Sequence, residues 1–169
     1  MAITVSGMTL IPQDNNNACW YASAQMVIKW RRDKTQSTEM AITDPSEVAD
    51  IEAVHKAKNG YPWARMKQFA KALGLRELPL VCPTEALVES WLCTYGPIWT
   101  DGVPVDASGN PAGTGHVVVL AGIRPGEICI YDPWPPNMGN VSWRPSSHLV
   151  GIQSDGANPG RDVCFLACP

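Results

Sequence analysis

Among the six cysteines and three histidines of this 169-residue chain, one cysteine sits where chemistry is easy to place. Cys19 falls where a polar, cap-forming run, Asp14-Asn15-Asn16-Asn17, gives way to an apolar helical stretch, and the pattern predicts it at the second helical position. A thiol in the first turn of a helix meets unpaired backbone N–H groups and the positive end of the dipole. Both favour the thiolate, the form that attacks a carbonyl carbon. The same cysteine can also be read as a plain core residue of an apolar helix. Six positions upstream lies Gln13. Its side-chain amide, held beside that helix start, would join the Cys19 backbone N–H as a two-donor oxyanion hole. A solvated glutamine in a polar loop is the other reading.

A thiol nucleophile needs a base. His116 opens an apolar strand after Gly113-Thr114-Gly115, so rigid structure would orient the ring while the glycines leave room for a substrate. His55 falls near the C-terminal end of a predicted surface helix, where a dipole contact accounts for it, and His148 in Pro145-Ser146-Ser147-His148 reads as a loop residue. Asp132, in Tyr131-Asp132-Pro133-Trp134, ends the strand that follows and could orient the imidazole. Register decides whether it does. A two-residue turn, Pro125-Gly126, sets Asp132 opposite Val119 and points it away from His116. A three-residue loop from Arg124 sets it opposite Val118, a diagonal neighbour of His116 at roughly 7–8 Å and within side-chain reach. The sequence leaves both registers open, and an Asp-Pro turn initiator is the alternative role for Asp132.

The elements that would carry these residues divide by composition. Twelve of the fifteen prolines and eleven of the fourteen glycines lie after residue 78, so helices are expected first and strands second. The spacing predicts a helix over 18–30, capped by Asn16 or Asn17 and apolar on nearly every face, hence buried on several sides. A second starts at Asp44-Pro45-Ser46-Glu47, a capping box with proline at the first helical position, and runs to about Lys56. A third spans 62–73 and stops at Gly74; a fourth spans 84–95 and stops at Gly96. Strands are predicted over 97–101, 116–121, 127–131, 141–144 and 163–167. The two central ones are apolar at successive positions, as interior strands of a covered sheet are. The expected architecture is α+β, with helices packed against an antiparallel sheet, in a single domain over 1–169.

Taken in order, Gln13-x5-Cys19-Trp20-x-Ala22, then Gly115-His116-Val117-Val118-Val119, then Tyr131-Asp132-Pro133-Trp134 resembles the papain-like cysteine peptidase superfamily. The likeness is greatest to compact bacterial members, the bacteriocin-processing peptidases and the Avr-type effectors of plant pathogens. Each piece alone is common, but the ordered set covers residues 13–134 and is quite specific. The resemblance implies a papain-like fold, a Cys-bearing central helix against a sheet with the active site in the cleft between. It implies Cys19 as nucleophile, His116 as general base and acid, Asp132 as orienting residue and Gln13 as oxyanion donor. It also implies an indole lid, Trp134, over the His116–Asp132 hydrogen bond. Tyr21 departs from the pattern, standing where many relatives have a second small residue.

Function follows as an expectation: a thiol endopeptidase acting on a specific protein substrate, with a delivered effector or toxin as one setting and a cognate inhibitor protein as a partner in that case. Acyl transferases, deamidases and amidases use the same thioester chemistry and stand as the alternative. A binding domain that retains the fold without catalysis is a third reading. A net charge of −3 gives no electrostatic case for a nucleic-acid or anionic-membrane partner. The basic cluster Lys29, Arg31, Arg32 and Lys34 reads as a solvated helix end. No apolar run approaches the roughly 20 residues of a membrane span, and the N-terminus carries no export-signal pattern. With no C-x-x-C pair, no metal or other cofactor is expected, and most cysteines are read as small buried hydrophobes.

Overall fold

The computed structural model describes residues 2–35, 42–102, 115–148 and 164–169. After a short strand β1 (Ile3–Thr4) comes the long helix α1 (Cys19–Thr35). A 3-10 turn (Pro45–Glu47) and helix α2 (Ala49–Lys56) follow, then a second 3-10 turn (Trp63–Arg65) and helix α3 (Met66–Leu73). Strand β2 (Arg76–Glu77) and helix α4 (Glu85–Tyr95) precede the main sheet strands β3 (Ile98–Gly102), β4 (His116–Arg124), β5 (Glu127–Asp132), β6 (Asn140–Pro145) and β7 (Phe165–Ala167). The α+β architecture read from the sequence holds.

Helix ends follow local chemistry. Asp44 and Glu47 form the reciprocal capping box, Thr84 accepts from the Leu87 N–H, and Gly74 closes α3 in the left-handed conformation. Gly96 ends α4 for a second reason: a Cβ there would lie 2.1 Å from the Trp30 ring, a distance no packing tolerates. The basic end of α1 is solvated and paired, Lys29 with Asp33 and Arg32 with Glu47. The box itself, however, opens a 3-10 turn, and α2 proper begins only at Ala49.

The strands form an antiparallel sheet in the order β2-β7-β3-β4-β5-β6, with β1 on β4 beyond the end of β3. Both faces are covered. Trp99, Val117, Val119 and Leu166 join the core built on α1 and α3. Their neighbours Ile98, Val118, Leu120, Phe165 and Ala167 join a second core with Val88, Trp91 and Leu92 of α4. This is why β4 and β5 read as continuous apolar runs rather than alternating ones. Strands β1 and β2, two residues each, carry no period-2 signal and escaped the sequence reading.

The hairpin register resolves in an unexpected way. The turn is the two-residue one, with Arg124 opposite Glu127, which by itself would turn Asp132 away from His116. A bulge at Ala121 then shifts the pairing by one, so that Leu120 faces Ile130 and Val119 faces Tyr131. Continued one step, that register sets Asp132 level with Val118, the outcome the longer loop was expected to give. The bulge is held by its surroundings: Val5 N–H donates to the Ala121 carbonyl at 2.7 Å. At Gly122 a Cβ would stand 2.9 Å from the Ile3 carbonyl oxygen, so only glycine lets β1 and β5 approach together.

Candidate active site

Helix α1 runs against the sheet and is tied to it at its first two turns. The Trp99 indole N–H donates to the Trp20 carbonyl at 3.0 Å, and the Ser23 hydroxyl donates to the Val117 carbonyl at 3.2 Å. These bonds set the start of α1 beside the start of β4, and so bring Cys19 to His116. Cys19 is the first helical residue rather than the second. The first backbone bonds of the helix run from Tyr21 and Ala22 to the Ala18 carbonyl, so the Cys19 and Trp20 N–H groups precede the first closed turn and have no intrahelical acceptor. Asn17 donates its side-chain amide to the Lys58 carbonyl at 2.9 Å.

His116 is mostly buried, and its Nε2 lies 2.7 Å from Asp132 Oδ1. Asp132 is itself held: the Trp134 backbone N–H donates to the same oxygen at 2.8 Å. Pro133, lacking an N–H, leaves that bond to the residue beyond it. Burial works against a charged imidazole, yet the hydrogen bonds to Asp132 and to Cys19 and the negative charges of both push His116 up to about 10. With Nε2 committed to Asp132, Nδ1 is the ring nitrogen left for the sulfur. The four-residue set thus falls into three that share one cleft of about 720 Å³ (Cys19, His116 and Asp132) and one, Gln13, that is fully buried and does not line it.

Gln13 is fixed by both its backbone and its side chain. Its N–H donates to the Pro133 carbonyl at 3.0 Å, and its carbonyl accepts from Asn137 N–H at 2.8 Å. Its amide Nε2 donates to the Asn15 carbonyl at 2.6 Å, while Oε1 is buried without a partner among the described residues. One amide hydrogen therefore remains uncommitted.

The structure adds to other readings. Trp134 lines the cleft with His116 and Asp132 at 46% exposure, and its backbone N–H also bonds the Asp132 carboxylate. His55 does more than meet a helix dipole, since it pairs with Asp14 and stacks on Tyr21. His148 lies close enough to feel the charges of Asp132 and His116, and burial followed by Arg144 lowers its pKa. Cys82 and Cys93 are exposed, leaving Cys129, Cys164 and Cys168 as the buried hydrophobes. Gly113 and Thr114, expected to open space beside His116, lie outside the described residues, as does Val163 of the last predicted strand. The sequence reading missed the apolar wall of Tyr61, Trp63 and Met66. Its signal was Tyr61-Pro62-Trp63 at the start of the predicted helix, two aromatic residues flanking a proline. Among the described residues no helix is long and apolar enough to cross a membrane.

Fold and site together define a thiol hydrolase of papain-like architecture. Residues 4–148 match the sequence profile of the family described as papain-like cysteine protease AvrRpt2, and the chain belongs to that family. Solved structures agree on the fold. A Bacillus anthracis structure described as a C39-like peptidase superposes with a TM-score of 0.58 at 15% identity, covering 100% of this chain and 98% of the other. The Carica candamarcensis cysteine protease CMS1MS2, solved in complex with E-64, gives 0.58 at 11% identity over 99% and 97% of the two chains. A search of curated protein sequences finds no match.

Proposed function

We propose that this cysteine peptidase is an endopeptidase for one or a few protein substrates, a single catalytic domain that works through Cys19, His116, Asp132 and Gln13. The observation that carries the reading is His116 hydrogen-bonded to Asp132 at 2.7 Å in the cleft that Cys19 also lines, with both partners raising the imidazole's pKa. In the first step Cys19 Sγ attacks the scissile carbonyl carbon, and the carbonyl π pair moves onto oxygen. The Cys19 N–H and the free hydrogen of the Gln13 amide stabilise that oxyanion. The His116 imidazolium passes its proton to the leaving amine, and an acyl thioester remains. Water then adds to the thioester as His116 takes its proton, and the thiol is regenerated. Asp132 keeps the ring in the orientation both transfers require. The family resemblance supports an effector as the setting of this activity.

N-terminal labelling of a proteome exposed to the active form and to Cys19→Ala tests the proposal. New N-termini at one or a few sequences, present only with the active form, are the expected result. Products heavier in total by one water mark peptide cleavage, whereas an intact chain about 1 Da heavier would mark a deamidase and overturn the endopeptidase reading.

A further inference from the structure

We propose that His55, on α2 and outside the cleft, is a positioning residue for the oxyanion donor; the proposal rests on Gln13 having that role. The Gln13 amide is held by one bond, to the carbonyl of Asn15, so the amide sits wherever that carbonyl sits. The Asn15 carbonyl also accepts from Ala18 N–H at 3.4 Å, and the Asn15 side chain joins Asp14 to the Asn17 N–H, bonds that are all local to the loop. Two long-range bonds bracket it, and both end at the C-terminal end of α2. Asp14 Oδ1 meets His55 Nε2 at 3.0 Å, and the Asn17 side chain donates to the Lys58 carbonyl at 2.9 Å.

Of the two anchors, His55 is the more constrained. Its ring stacks on Tyr21 with centroids 3.8 Å apart and planes at 8°. Tyr21 stands two residues after Cys19, and its hydroxyl donates to Glu52 Oε2 at 2.5 Å, on the turn of α2 preceding His55. Glu52 lies 3.7 Å from His55 Nδ1, too far to bond, and Lys56 lies 3.4 Å from the other Glu52 oxygen. The imidazole is therefore wedged against the nucleophile's helix on one side and bonded to the oxyanion loop on the other. Asp14 bears the mark of this contact. Burial would raise its carboxyl, yet the bond and charge of His55 hold it below the usual value. Tyr21, the residue that departs from the family pattern, supplies the flat surface His55 needs.

A group that sets the oxyanion donor, without touching substrate, should act on the transition state and not on binding. His55→Phe keeps a ring on Tyr21 and removes the bond to Asp14. Asp14→Ala cuts the same bond, together with the one from the Asn15 amide, from a largely exposed side chain and so leaves the core alone. Both variants are to be assayed on a fluorogenic peptide, taken from a cleavage site that the active form cuts and Cys19→Ala does not. Each should lower kcat by about tenfold to a hundredfold, the range a displaced catalytic group shows, with KM within about twofold. Alkylation of Cys19 by iodoacetamide should proceed at the unaltered rate, since it needs thiol and imidazole but no oxyanion hole. In a Gln13→Ala background neither substitution should cost anything further.

Normal kcat in both variants, or losses that simply add to that of Gln13→Ala, would overturn the proposal, as would alkylation falling in step with turnover. If Gln13→Ala itself costs nothing, the oxyanion assignment fails first and the role of His55 with it. A full loss in Gln13→Ala beside intact His55 and Asp14 variants leaves that assignment standing and removes this one.

Discussion

The two walls of the cleft are built on different principles. On the sheet side, His116 and Asp132 are placed by strand pairing, and the last adjustment is a backbone bond from Trp134 N–H to the carboxylate. On the helix side, Cys19 is placed largely by side chains, and Gln13, buried outside the cleft, by both its backbone and its amide. Trp99 and Ser23 fix α1, Asn15 receives the Gln13 amide, and Asp14 and Asn17 hold the loop to α2. A wall made of register is all or nothing, because a slip of one residue turns every side chain over. A wall made of side-chain bonds degrades by steps, one bond at a time. The sheet side should therefore fail through its backbone geometry and the helix side through individual contacts.

The largest effects test the reacting pair itself. Cys19→Ala and His116→Ala should each abolish turnover while thermal unfolding stays cooperative, since neither side chain supplies much core volume. Residual peptide cleavage by either variant would refute the mechanism. On the helix wall, Gln13→Ala should lower kcat by about 10²–10³, the usual cost of one oxyanion donor. A loss confined to KM would make Gln13 a substrate contact instead.

Asp132 tests the sheet wall and its pH dependence. Asp132 and Cys19 raise His116 from 6.5 to about 10, so any stability this pairing contributes is complete below the ordinary histidine pKa and is lost as pH rises through about 10. Activity needs the imidazolium to protonate the leaving amine, and should fall along an alkaline limb near that value. Asp132→Asn removes the carboxylate charge and should move the limb to lower pH, with more than about a tenfold loss of kcat at neutral pH. An alkaline limb unmoved by this substitution would separate Asp132 from His116 in function.

Gly122→Ala aims at the bulge that sets the register. Its Cβ would meet the Ile3 carbonyl oxygen at 2.9 Å and Cys129 Cβ at 3.0 Å. Overpacking of this kind costs about 1–3 kcal/mol, read as a lowered denaturation midpoint. If the comparison of the walls is right, kcat should fall together with stability, because the bulge also aligns Asp132. The smallest effect is that of Trp134→Ala, expected to lower kcat by about tenfold, or 1.4 kcal/mol, through wetting of the His116–Asp132 bond. The backbone N–H that Trp134 gives to Asp132 survives this change, which is why the loss should stay below that of Asp132 itself.

What could be read without a structure was whatever depends on near neighbours along the chain. The cap at Asp44 and the stops at Gly74 and Gly96 declare themselves within four residues, because the groups they satisfy lie one turn away. The apolar runs of β4 and β5 announce a sheet covered on both faces, and the ordered appearance of Gln13, Cys19, His116 and Asp132 announces thiol chemistry. Tertiary structure decided the distances. The bulge at Ala121 depends on β1, the N-terminal strand, meeting β4 at Gly122, more than a hundred positions away in sequence. The Asp14–His55 bond closes 41 positions, and neither partner carries a local signal of the other. The aromatic wall of Tyr61 and Trp63 lines the same cleft as Cys19 through packing far apart in sequence, Tyr61 lying against Trp20 with ring centroids 4.9 Å apart. A residue type and its immediate neighbours define which reactions it can support; bringing a thiol, a ring and a carboxylate within hydrogen-bonding reach requires closing long loops, and only the packed core repays the entropy of doing so.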